Sequence, residues 1–84
     1  MVEAEEVQNL IRQGVTGVSH IEVRDLTGTK DHYEATVVAT AFEELSRVRQ
    51  HQLVYQALGA LMAGPIHALA LHTHTPASWA ESQS

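Results

Sequence analysis

The chain contains no cysteine, which excludes a disulfide scaffold, a thiolate zinc finger, a catalytic thiol and an iron–sulfur site built from this chain alone. Long hydrophobic runs are also missing. The longest, such as Ala60-Leu61-Met62-Ala63, span only a few residues, and no charged leader precedes an apolar stretch near Met1. Neither a membrane span nor a secretory signal is expected, so a cytoplasmic location is the expectation. Positive charge is scarce: five Lys and Arg face ten Asp and Glu, for a net charge of −5. Such a balance repels nucleic-acid phosphates and acidic membranes at long range. Six histidines are the counterweight, because protonating all of them would bring the formal charge to +1.

What is present suits one small folded domain. The 84 residues weigh 9.2 kDa, with 44% hydrophobic and 18% charged residues, too apolar for a disordered chain. A chain of this size buries about 60 to 65% of its unfolded surface, so an enclosed cavity for a large substrate would remove much of the core. A surface site is expected instead. One domain is expected over residues 1–80, with a polar, frayed tail over 81–84.

Periodicity gives the element order. Val7, Leu10 and Ile11 recur at helical spacing between Val2 and Gln13, behind Glu3, Glu5 and Glu6, where carboxylates favour the helix dipole. Gly14 sits where a left-handed C-terminal cap is wanted, and Gly17 permits the following turn. Ser19 to Asp25 alternates, with Ile21 and Val23 on one face and His20, Glu22 and Arg24 on the other. After a loop from Leu26 to Asp31 the alternation resumes, with Tyr33, Ala35, Val37 and Ala39 opposite His32, Glu34, Thr36 and Val38. Together these predict a β-hairpin. Beyond Thr40 the period lengthens: Val48, His51, Val54, Tyr55, Leu58, Leu61 and Met62 line a long helix that Ser46 caps and Gly64-Pro65 ends. Ile66 to Thr73 reads as a third strand, and Thr75-Pro76 as the start of a short helix carrying Trp79. The prediction is an α+β domain of order α-β-β-α-β-α, a three-stranded sheet with helices packed on one face and room for a further short helix before the long one.

The sequence resembles the BolA-like family from about Val7 to Trp79. Several separated motifs carry the resemblance in order: His20-Ile21-Glu22-Val23 with Asp25, Asp31-His32-Tyr33, Val37-Val38, Ala41-Phe42-Glu43, Leu45-Ser46-Arg47-Val48 and His51-Gln52-Leu53-Val54-Tyr55. They finish with Ile66-His67-Ala68-Leu69-Ala70-Leu71, Thr73 and Thr75-Pro76 ahead of Trp79. The resemblance implies a fold like the class II KH domain. It also implies association with monothiol glutaredoxins, whose cysteine and bound glutathione hold part of a [2Fe–2S] cluster that the BolA-like partner completes. Some members are described as DNA-binding regulators.

A [2Fe–2S] cluster needs two ligands per iron, and histidine can replace thiolate on one iron. A chain with histidines and no thiol can lend imidazoles to a shared cluster and binds none by itself. His67 matches the family's characteristic histidine at the start of the third strand, directly after Gly64-Pro65, and is the first expected ligand. Family members usually carry a Cys or His inside the first hairpin loop, but here Thr27-Gly28-Thr29-Lys30-Asp31 has neither. His32, at the loop's far end, is the nearest substitute. His51 falls on the apolar helix stripe and is read as structural, packed and hydrogen-bonded. His20 is read as solvated. His72 and His74 share one side of an extended segment, a spacing that grips zinc or nickel on a column, but without a third ligand.

Two rival classes are weaker. Nucleic-acid binding by a KH domain uses a Gly-x-x-Gly loop between two helices; Gly14-Val15-Thr16-Gly17 has the spelling in the wrong place, and the equivalent position reads Glu43-Glu44-Leu45-Ser46. Arg47 and Arg49, with Gln50 and Gln52, form the only basic polar patch and the expected partner or DNA surface; DNA binding there would be weak and salt-dependent. No nucleophile with a base, paired carboxylates or phosphate loop points to catalysis. The expectation is a non-enzymatic adaptor in iron–sulfur trafficking or iron sensing, with transcriptional regulation as the alternative.

Overall fold

Three strands and three α-helices alternate along the chain in the computed structural model, which describes residues 3–26, 28, 32–63 and 68–83. The elements are α1 (Ala4–Gly14), β1 (Val18–Asp25), β2 (His32–Ala39), α2 (Arg47–Leu58), β3 (Ala68–His74) and α3 (Pro76–Gln83). Two 3-10 turns, Thr40–Phe42 and Gly59–Ala63, flank α2. The class and order are those expected, and Thr40–Phe42 fills the place foreseen for a short helix.

The sheet runs β1-β2-β3, with β1 and β2 antiparallel and β2 and β3 parallel. A parallel pair needs a long crossover, and α2 with its flanking turns provides it. The register aligns Ile21 with Val37 and Thr73, and Val23 with Ala35 and Leu71, so each row places apolar or neutral side chains on the face that α1 and α2 cover.

Val7, Ile11, Val15, Ile21, Tyr33, Val37, Ala39, Phe42, Val54 and Leu58 form the buried core. Burying side chains the size of Tyr33 and Phe42 contributes ~1.5–3 kcal/mol each. α1 does not end as expected. Gly14 is its last helical residue rather than a left-handed cap, and the chain leaves through Val15 in an extended conformation. Its missing side chain serves packing, since a Cβ at Gly14 would stand 2.5 Å from the Cβ of Ala57 on α2. The left-handed residue is Gly17, with φ of +73°.

α2 departs further from the sequence reading. Ser46 caps it, its Oγ accepting from the Arg49 N–H at 3.3 Å, but the α-helix stops at Leu58, where Gly59 takes φ of +55°. Leu61 and Met62 still pack against the core, from the 3-10 turn. Val48 is 66% exposed and Tyr55 39% exposed, so the buried stripe is Leu53, Val54, Ala57 and Leu58, rotated from the expected one. Gly64, Pro65 and the Ile66 start of the third strand lie outside the described residues.

α1 and α2 share one face, as expected; α3 turns to the other. Thr75 and Ser78 start it reciprocally: the Ser78 N–H donates to Thr75 Oγ1 at 3.1 Å and the Thr75 N–H to Ser78 Oγ at 3.0 Å, a capping-box pattern. Trp79 then stacks on His20 at 4.9 Å and lies tilted against His74 at 5.2 Å. His20, Val38 and His74 form one cross-strand row, and Val38 is fully buried although its position predicts the polar face. α3 continues through Gln83, past the point where the polar tail was expected to begin.

Candidate functional site

The histidines fall at two ends of the sheet. At one end, β2 opens with His32, half-buried and in register with Ala68 at the start of β3. The hairpin closes there through the Leu26 N–H donating to the His32 carbonyl at 2.9 Å. Inside the loop, the Gly28 N–H donates to Asp25 Oδ1 at 3.0 Å with Gly28 at φ of +77°, a local turn that only a residue without Cβ adopts readily. His67, the expected first ligand, lies outside the described residues, as do Gly64 and Pro65. It immediately precedes Ala68 in the chain.

At the other end, a cleft of about 110 Å³ is lined by Arg47 and His51 of α2 and by Leu71, His72, Thr73 and His74 of β3. His51 is half-buried, and its Nε2 is shut off from solvent with no hydrogen-bond partner among the described residues. The expected hydrogen bond for a structural histidine is therefore not seen at that nitrogen. Burial pushes the His51 pKa down, and the charges of Arg47 and His72 push it the same way, so it stays neutral at neutral pH.

Arg47 and Arg49 do not form one patch. Residues two apart on a helix point to different sides; Arg47 reaches the cleft with β3, whereas Arg49 borders a shallow depression with Leu45, Gln52, Leu53 and Gln56. Gln50, read as part of the polar patch, turns inward. Its Nε2 donates to the carbonyls of Phe42 at 3.2 Å and Leu45 at 3.1 Å, and its Oε1 accepts from the Thr73 hydroxyl at 2.6 Å. One side chain thereby ties the turn before α2 to α2 and to β3.

On the face opposite α1 and α2, Glu34 joins two neighbours. It pairs with Arg24 across β1 and with His72 Nε2 across β3 at 3.2 Å. The Arg24 and His72 hydrogen bonds hold the Glu34 carboxyl below its usual range, and Glu34 in turn raises Arg24. His72 and His74 share this face as alternation predicts, yet His72 is taken by Glu34 and His74 by Trp79. His20, read as solvated, is stacked on Trp79 and sits 3.4 Å from Glu22. Among the described residues no three His, Asp or Glu side chains converge on a common metal position. The sequence signal for the Arg24 pair was present in the register of the hairpin, where Arg24 stands opposite Glu34, whereas His72 stands opposite Thr36 and reaches Glu34 diagonally on the same polar face. Gln50 gave no such signal, because a glutamine in a polar stretch reads as surface.

The comparisons with known proteins follow the fold. Residues 9–78 match the family described as BolA-like protein. BolA-like protein 1 of Bos taurus is 46% identical over 55 residues, covering 66% of this chain and 41% of that protein. The DNA-binding transcriptional regulator BolA of Vibrio cholerae is 44% identical over 52 residues, 62% of this chain and 49% of that protein. The chain thus matches about two-fifths to half the length of these curated relatives. A solved structure of a BolA protein homologue from Coxiella burnetii superposes with a TM-score of 0.76 at 35% identity, covering 95% of this chain and 99% of that one. With the α-β-β-α-β-α order, the mixed sheet and a family match over most of its residues, the chain belongs to the BolA-like family.

Proposed function

We propose that this chain is an adaptor that pairs with a monothiol glutaredoxin and supplies histidine to a [2Fe–2S] cluster the two proteins share, in iron–sulfur trafficking or iron sensing. The observation that carries the reading is the parallel β2–β3 register: His32 stands beside Ala68, the residue that follows His67 in the chain. Paired strands lie ~4.8 Å apart, so the backbone next to His32 is one residue from His67 in sequence. His67 is the first ligand and His32 the second.

The donor chemistry supports a shared cluster rather than a private one. The chain offers imidazole and no thiol, histidine can take the thiolate's place on one iron, and the glutaredoxin cysteine with its glutathione serves the other. A bound cluster supplies redox and transfer chemistry; the chain's own part is to hold imidazoles at the loop end of the hairpin. Two other polar groups are engaged structurally: Ser46 caps α2, and Glu34 is shared by Arg24 and His72. We read the protein as a binding protein, not an enzyme.

A second reading rests on one finding: the Vibrio cholerae relative is named a DNA-binding transcriptional regulator. α2 carries Arg47 and Arg49 and no acidic residue. Against it stand the net charge of −5 and the divergence of the two arginines.

The test is a titration of cluster-loaded monothiol glutaredoxin with this protein, followed by visible absorption and circular dichroism. The proposal requires a changed cluster spectrum that saturates at equal stoichiometry and is lost in His67→Ala. An unchanged spectrum with no complex formed overturns it, and a DNA-binding assay across a salt series then tests the second reading.

A further inference from the structure

The cleft between α2 and β3 has a shape that the His32 end does not explain. Four consecutive β3 residues, Leu71 to His74, line it, although their side chains alternate between the two faces of the sheet. A cleft can touch all four only by running along the strand's backbone edge. β3 is an edge strand, paired with β2 alone, and no backbone hydrogen bond outside the sheet reaches Ala68–His74 among the described residues.

Edge strands usually carry protection against added strands, such as a charged side chain, a proline or a bulge. The β3 sequence, Ala-Leu-Ala-Leu-His-Thr-His, holds no charged residue and no proline. It is an edge open to strand addition.

The side chains around it select by charge. Arg47 is the charged group bordering the cleft, beside His51, His72 and His74, and among the described residues no carboxylate lines it, in a chain with twice as many acidic as basic residues. A second copy of the chain would set Arg47 against its own counterpart across a two-fold axis, which like charges disfavour. An extended acidic segment meets no such repulsion. Its alternate side chains reach Arg47 on one side, while its backbone pairs with β3.

We propose that the free edge of β3, with Arg47 and His51 beside it, is a docking site for an extended, acidic segment of a partner protein that adds as a fourth strand. This site lies at the opposite end of β3 from Ala68 and does not rest on the shared-cluster reading; both can hold or fail separately.

The experiment uses the free full chain at neutral pH and low salt, without any cluster. The probes are a short peptide alternating glutamate and valine, its glutamine–valine counterpart, and a single-stranded DNA oligonucleotide, each followed by amide chemical shifts and by hydrogen exchange. The proposal expects the acidic peptide to shift the amides of Leu71 to His74 and to slow their exchange, with the glutamine peptide binding about tenfold more weakly, the equivalent of one well-placed charge contact. Arg47→Glu is to reduce acidic-peptide affinity about tenfold or more, while Arg49→Glu, on the other side of α2, changes it far less. Arg47 is exposed, and an unchanged amide spectrum elsewhere confirms that the variant folds. Shifts that map away from β3, equal loss in both arginine variants, or binding by the oligonucleotide and not by the peptide overturn the proposal.

Discussion

Replacing Gln50 by alanine tests the packing account at its most connected point. The side chain makes three hydrogen bonds, two as donor to the Phe42 and Leu45 carbonyls and one as acceptor from Thr73. At ~0.5–1.5 kcal/mol net for each, with Thr73 buried and its hydroxyl left unpaired, the loss sums to about 2–3 kcal/mol. For a domain of this size that lowers the melting temperature by roughly 10–20 °C. Chemical denaturation followed by far-UV circular dichroism measures it directly. Thr73→Val alone removes one of the three bonds, so Gln50→Ala and Thr73→Val are expected to be non-additive by about 1 kcal/mol. A loss below about 0.5 kcal/mol for Gln50→Ala, or strict additivity in the double variant, would refute the role of Gln50 as the tie between the turn, α2 and β3.

Other consequences follow from the helices and the titrating groups. Gly14→Ala forces a Cβ to within 2.5 Å of Ala57, and the displaced crossing of α1 and α2 is expected to cost ~1–3 kcal/mol in urea unfolding, the reverse of the usual gain from alanine in a helix. His51 has its pKa lowered below 6.5 in the folded chain by burial, Arg47 and His72. The unfolded state therefore takes up its proton first, so this stabilisation is full above about 6.5 and is lost progressively as the pH falls from there through the lowered folded value. Denaturation midpoints at neutral and mildly acidic pH are expected to differ less in His51→Leu than in the parent chain. Glu34 behaves similarly at lower pH: its carboxyl is held down by Arg24 and His72, so its contribution is present above its ordinary value near 4.5 and is lost below it.

The order of elements was legible because each announces itself by period: alternation in β1 and β2, helical spacing in α1, and Thr75-Pro76 before α3. What the sequence did not disclose depends on contacts between elements. The apolar stripe through Leu61 and Met62 carries the expected helix to the Gly64-Pro65 break, but these two side chains reach the core from a 3-10 turn, and Gly59 sets the end of α2. Val48 and Tyr55 fit a helical stripe by spacing, yet the rotation of a helix about its axis is fixed by the partner it meets, here α1 and the sheet. Val38 reads as outward by alternation, yet it is buried in the row whose outer members, His20 and His74, pack against Trp79 of α3. The candidate site divides in the same way. That His32 stands beside Ala68, the residue after His67 in the chain, follows from parallel pairing of β2 and β3, which alternation alone cannot distinguish from antiparallel pairing. The splitting of Arg47 from Arg49 was readable from helix geometry, because residues at i and i+2 do not share a side.

Isotope labelling of this chain's histidines, read by pulsed electron paramagnetic resonance of the reduced cluster in the mixed complex with monothiol glutaredoxin, tests the central claim most directly. Two inequivalent imidazole nitrogens, changing from the nitrogen-14 to the nitrogen-15 pattern on labelling, with one lost in His67→Ala and the other in His32→Ala, are the predicted result. A cluster signal with no nitrogen coupling that responds to labelling of this chain would contradict it.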